Sequence, residues 1–152
     1  MQNFKILTFW IFILIFTFYI FHYHYMVENM YKENILDHYR NPHNKRPLPD
    51  ASFHQKEFNA FCGDEVEVYV KLSADDVVKN VSFTGTGCAI SQAAASLFTE
   101  QLPGKRVEEV IQMGGKDAEE LLGIVLNAVR IKCALLPLRA FQEGWKTYHG
   151  QK

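Results

Sequence analysis

From Glu65 to Leu72 the chain reads Glu-Val-Glu-Val-Tyr-Val-Lys-Leu, but after Cys88 its apolar residues recur every three or four positions, and this change of period restricts the fold most. Strict alternation puts Val66, Val68, Val70 and Leu72 on one face and Glu65, Glu67, Tyr69 and Lys71 on the other, a strand with one solvated side. Ser73-Ala74-Asp75-Asp76 supplies a turn, and Val77, Val81 and Phe83 face one way on the return, so an antiparallel hairpin is expected. Ile90, Ala93, Ala94, Leu97 and Phe98 then form one helical stripe, which Pro103-Gly104 stops.

The other elements are arranged around these two. Tyr31, Ile35, Leu36 and Tyr39 predict a first helix that Asn41-Pro42 ends. The stretch from Asn41 to Phe58 carries three prolines and no period, so it reads as an irregular lead-in. A short helix carries Val107, Val110 and Ile111, and Gly114-Gly115 breaks it. Ala118, Leu121, Leu122, Val125 and Val129 mark another helix, and a last one spans about Ala134 to Tyr148 with Pro137 in its first turn. The order predicts an α+β fold, a small antiparallel sheet with helices packed on one face. At 152 residues and 48% hydrophobic, the chain suits one domain with a single core.

Residues 1–25 stand apart. Ile6 to Phe21 carry no charge, long enough for an anchoring helix, but the stretch contains no Ala, Gly, Val, Pro or Arg. Its Phe, Ile, Tyr, Asn and Lys are what A/T-rich codons give when non-coding DNA is translated, and Met26 and Met30 stand ready as starts. The first expectation is therefore a start placed too far upstream. A membrane anchor comes second, with Lys32, Arg40, Lys45 and Arg46 keeping the domain on the cytoplasmic side, and a cleaved signal third. The domain proper is taken as 26–152, cytoplasmic in each of the first two cases.

A net charge of -1, from 16 basic and 17 acidic residues, gives no positive field to gather phosphates, which argues against a nucleic-acid partner. Three cysteines, an odd and widely spaced set, argue against a secreted disulfide framework. Each stands at an expected element boundary: Cys62 before the first clear strand, Cys88 at the start of the Ala-rich helix and Cys133 at the start of the last. A helix N-terminus favours thiolate, so Cys88 and Cys133 read as reactive rather than as small core residues. Together with Asp64, which Gly63 lets turn toward the centre shared with Cys62, they form a candidate zinc or iron-sulfur ligand set. Spacings of 26 and 45 residues match no short zinc pattern, and three buried small hydrophobes remain a rival reading.

Four segments in order, YKENILDHYRNPHN, FCGDEVEVYVKL, FTGTGCAISQAAAS and RIKCALLPL, resemble the iron-sulfur cluster scaffold family of IscU, SufU and the N-terminal domain of NifU over about residues 30–145. The resemblance implies a scaffold that receives persulfide sulfur from a cysteine desulfurase, holds a nascent [2Fe-2S] cluster or zinc on Cys62, Asp64, Cys88 and Cys133, and passes the product to apo recipient proteins. Cys133 is the expected persulfide acceptor, Asp64 the exchangeable ligand, and Gly63, Gly87, Arg130 and Lys132 their neighbours. Lys132 before the third cysteine resembles SufU-like members, and the chaperone-recruiting Leu-Pro-Pro-Val-Lys is replaced by Leu126-Asn127-Ala128-Val129-Arg130, whereas the 45-residue gap is like IscU. A zinc-dependent sulfurtransferase partner of the desulfurase, and a zinc-stabilised structural or membrane-anchored module, are the alternatives. Lys132 reads equally as a charge beside Cys133 or a solvated lysine, and Arg130 as a site neighbour or a helix-end cation. His38, His43 and His54 read as surface or capping residues rather than ligands.

Overall fold

In the computed structural model the backbone is described for residues 2–150, and side chains for residues 13–150 except 24, 27 and 28. Helix α1 (Gln2–Arg40) is followed by strands β1 (Phe53–Asn59), β2 (Asp64–Leu72) and β3 (Val78–Thr86). Helices α2 (Ala89–Gln101), α3 (Val107–Gln112), α4 (Gly115–Leu122), α5 (Arg130–Ala134) and α6 (Leu136–Gly150) complete the chain. The sheet is antiparallel in the order β1-β2-β3, with β2 central.

The alternating run settles as expected: Val66, Val68, Val70 and Leu72 are buried and the residues between them half-buried. The hairpin turn is held by the Ser73 N–H on the Val77 carbonyl at 2.9 Å and the Val77 N–H on Ser73 Oγ at 3.1 Å. A register shift between Lys71 and Leu72 brings Val78 rather than Val77 into the core beside Val81 and Phe83. Helix α6 packs Phe141 and Trp145 against Phe53, and α3 adds Val107 and Val110 to the same cluster.

Helix α2 lies between two apolar clusters. Ala95 and Phe98 belong to the sheet-side core, whereas Ala93 and Ala94 meet Ile35 of α1, Ala118 and Leu122 of α4 and Ala134 of α5. It is therefore buried over more than the expected stripe, with Ser91, Gln92, Ser96 and Thr99 also enclosed. Small side chains let flanking elements approach its backbone from both sides.

Three expectations are corrected. Residues 53–59, expected to be irregular, form the edge strand β1; the inward positions Gln55, Glu57 and Asn59 are polar, so only Phe53 signalled the core. The helix expected to reach Val129 ends at Leu122, because Gly123 adopts φ 66° and its N–H bonds back to the Glu119 and Glu120 carbonyls, leaving Val125 and Val129 exposed. In the first helix Ile35 and His38 are the buried pair, while Tyr31, Leu36 and Tyr39 are exposed.

Helix α1 also begins far upstream of Tyr31. Its described apolar side chains between Ile13 and Met26 are exposed, and among the described residues no helix is long and apolar enough to cross a membrane. Part of the uncharged stretch lies outside the residues whose side chains are described.

Candidate metal centre

The loop joining β1 to β2 is built on Asn59. Its carbonyl accepts the N–H groups of Cys62 at 3.2 Å and Gly63 at 2.8 Å, and its Oδ1 accepts the Phe61 N–H at 3.1 Å. Gly63 has φ 71°, a left-handed conformation that glycine adopts without strain, so the chain reverses within this loop and Asp64 starts β2 opposite Asn59. Cys62 is left exposed at the tip, and Asp64 is buried.

Asp64 points under the start of α2. Its Oδ1 accepts the N–H of Cys88, the N-cap residue, at 2.9 Å. Burial pushes its carboxyl pKa up, but that N–H and the Cys88 and Cys133 thiols and the Ser91 hydroxyl outweigh it and hold the value below the ordinary range. The second oxygen, Oδ2, is buried without a hydrogen-bond partner. A buried, charged carboxylate with one oxygen unsatisfied has the chemistry of a cation ligand.

Cys133 arrives from the other side. Its Sγ lies 2.8 Å from that of Cys62, both cysteines being free, and the side-chain amide of Asn59 donates to both sulfurs at 3.4 Å. Ligand atoms of Cys62, Asp64 and Cys133 all lie within 4.8 Å of one another, and Cys88 borders them through its hydrogen bonds to Asp64. Two sulfurs and one carboxylate oxygen, with the Cys88 thiol against Asp64 as the further donor, suit tetrahedral zinc as well as thiolate-bound iron.

Two expectations about this centre do not hold. Cys133 does not open the last helix but sits inside α5, buried, and burial first of all, then its contacts with Cys62 and Asp64 and the nearby negative charges, push its thiol well above the usual range. The exposed thiol is Cys62. Arg130 is exposed at the beginning of α5, where a cation does not complement the helix dipole.

Lys132 places its Nζ 4.0 Å from the centre of the Phe61 ring, beside Cys62, so it is tied to the site loop rather than merely solvated. Gly87 leaves room for Asp64: a Cβ there would meet Ser91 Oγ at 2.5 Å and Asp64 Oδ1 at 2.9 Å. Asn59 and Ser91 were missed in the sequence, Asn59 because it closes a strand that the pattern concealed. Of the three histidines, His54 is exposed and paired with Glu67 at 2.9 Å, His43 is half-exposed, and His38 is buried, which corrects its expected surface position.

The family described as NifU-like N terminal domain matches residues 30–152. The chain is 35% identical over 135 residues to the zinc-dependent sulfurtransferase SufU of Bacillus subtilis, an alignment covering 78% of this chain and 90% of the relative. It is 35% identical over 133 residues to the iron-sulfur cluster assembly scaffold protein IscU of Thermotoga maritima, covering 77% and 93%. A crystal structure from Fervidobacterium islandicum AW-1, described as an iron-sulfur cluster assembly scaffold protein for the SUF system, superposes with a TM-score of 0.56 at 30% identity and covers 74% of this chain and 93% of its own. With the fold, the four motifs and the matched span in agreement, the chain belongs to the NifU-like N-terminal domain family.

Proposed function

We propose that this protein accepts persulfide sulfur from a cysteine desulfurase and, once an external electron-donor protein has supplied the two electrons that reduce each sulfur to sulfide, holds it with iron as a nascent [2Fe-2S] cluster on Cys62, Asp64, Cys88 and Cys133, for delivery to apo recipient proteins. The observation that carries this reading is the buried Asp64 Oδ2, without a partner, in a group whose other close members are two thiols. The cluster is cargo, so its ligands must release it. A carboxylate binds iron or zinc less tightly than thiolate, which makes Asp64 the exchangeable ligand.

Exposure makes Cys62 the entry point for sulfur rather than Cys133. Its thiolate attacks the outer sulfur of the desulfurase persulfide; the new S–S bond forms as the old one breaks, and the electron pair leaves on the desulfurase thiolate, with no net oxidation. The Sγ of Cys133, 2.8 Å away, supports onward transfer by the same exchange once a bound metal has displaced the proton that burial holds on it. Phe61 and Val129, both exposed beside these thiols, offer the partner an apolar rim. Three free cysteines support a reducing, cytoplasmic location.

A second reading is favoured by the donor set, by Lys132 against the site loop and by the likeness to SufU: resident zinc held by the same residues, with the protein passing sulfur and never building a cluster. Zinc there would keep the thiols deprotonated and orient them. Anaerobic purification followed by zinc, iron and sulfide determination separates the two. A reconstituted cluster delivered intact to an apo-protein supports the scaffold. Stoichiometric zinc, whose removal abolishes sulfur uptake in a protein that never holds sulfide and iron, overturns it in favour of transfer.

A further inference from the structure

At the other end of α2 the structure gathers a second set of metal-ligating side chains. Cys88 caps the N-terminus of α2 and Glu100 lies near its C-terminus, so this set is about 18 Å along the helix from the thiol centre. Ligand atoms of His38, at the end of α1, His43, in the turn that follows, and Glu100 lie within 4.8 Å of one another. We propose that His38, His43 and Glu100 form a separate binding site for a divalent transition cation of the zinc class.

The histidines are fixed by one residue. Ser96 Oγ lies 2.8 Å from His38 Nδ1 and accepts the His43 backbone N–H, also at 2.8 Å. In the tautomer with the hydrogen on His38 Nδ1, Ser96 Oγ accepts both bonds with its two lone pairs and Nε2 keeps the lone pair a metal needs. A histidine held in this way through its other nitrogen is how metal sites fix ring orientation and tautomer. His38 is 6% exposed, and its ring meets that of His43 edge to face with centroids 4.9 Å apart, so the buried ring anchors the exposed one.

The third donor is already in place. His43 Nδ1 and Glu100 Oε1 face each other in direct contact, so both donors already point to one place. Around zinc, ligand atoms at about 2.0–2.1 Å stand roughly 3.3 Å apart in a tetrahedron. Reaching that spacing closes the widest pair, now within 4.8 Å, by at most about 1.5 Å and opens the His43–Glu100 contact. His43 and Glu100 are 52% and 39% exposed, free to make these shifts without disturbing the core.

Two imidazoles and one carboxylate select zinc, cobalt or nickel over calcium or magnesium, which take oxygen ligands. Three protein ligands leave at least one position to water, so the cation is exchangeable. Binding would brace α1 and the turn after it against α2.

The test uses the untagged full-length chain, with the thiol centre first saturated by one equivalent of zinc. A titration of further zinc should show a second equivalent bound, and His43→Ala and Glu100→Gln should each weaken it at least tenfold while leaving the first unchanged. Both side chains are substantially exposed, so both variants should keep the far-ultraviolet dichroism of the parent. With cobalt as the second metal, weak visible d–d bands should grow without an added thiolate-to-cobalt charge-transfer band. Uptake of one zinc only, a second zinc that survives both substitutions, or a charge-transfer band growing with the second metal would each overturn the proposal.

Discussion

Gly87→Ala tests whether Asp64 is positioned by the space beside it. Ordinary contacts to a Cβ begin near 3.4 Å; the added methyl would find Ser91 Oγ at 2.5 Å and Asp64 Oδ1 at 2.9 Å, so these must yield by about 0.9 and 0.5 Å. Ser91 can rotate about its single side-chain torsion, forfeiting its 3.1 Å bond to the Cys88 carbonyl. Asp64 cannot move so cheaply, because its Oδ1 holds the Cys88 N–H and its other oxygen is enclosed. Weakening a hydrogen bond to a buried charge costs about 1–3 kcal/mol. For a domain of this size that lowers the melting temperature of metal-free protein by roughly 3–12 °C. Displaced supporting groups typically cost 10–100-fold in metal affinity, so zinc affinity, read by competition with a chromophoric chelator, should fall by about that factor. Gly63→Ala is the control: nothing lies within 4 Å of its Cβ, so it should show only the strain of its left-handed backbone, about 1 kcal/mol. A Gly87→Ala protein that binds zinc within twofold of the parent, or loses less affinity than Gly63→Ala, would refute the argument.

Other consequences concern the same centre. Cys62→Ser should reduce sulfur uptake from a persulfide donor by about a hundredfold or more, whereas Cys133→Ser should still accept sulfur on Cys62; radiolabelled sulfur followed by peptide mapping reads both, and the reverse pattern would return the entry role to Cys133. Asp64→Ala should lengthen the life of a bound cluster, measured as absorbance decay with a chelator present, because the labile ligand is gone. Since the Asp64 pKa is held below its ordinary value, its charge stabilises metal-free protein fully above about pH 4, and that contribution is lost as pH falls through the lower folded value. Asp64→Asn should therefore flatten the acid limb of the melting temperature against pH. Lys132→Ala removes a cation–π contact worth about 0.5–1 kcal/mol and should raise hydrogen exchange at Phe61 and Cys62 with little change in melting temperature.

The strand β2, the hairpin to β3 and the start of α2 at Cys88 were legible in the residues, because Val66 to Leu72 alternate buried apolar with half-covered positions and an apolar stripe of period 3.6 begins after Cys88, even though Ser82, Ser91 and Gln92 are buried as well. The order of elements and the α+β class follow from the same contrast. It fails at β1, where Gln55, Glu57 and Asn59 face inward on an edge strand, and at α4, where Val125 and Val129 continue the helical period past the point at which Gly123 turns the chain. A period reports what a side chain is, and only indirectly what covers it.

The candidate ligands were legible as residue types and through their family motifs, but their chemistry was not. Cys62, Asp64 and Cys133 converge only because β1 pairs with β2 and α5 folds back over that hairpin's loop. Asn59, which bonds both sulfurs, and the burial that separates Cys133 from the exposed Cys62 are properties of this packing. The same holds for His38, drawn under α2 by Ile35 one turn before it and tied to Ser96. The sequence determined which thiols, carboxylates and imidazoles were available; the tertiary structure decided which are exposed, which are charged and which share a centre, because solvation and proximity arise between segments far apart in the chain.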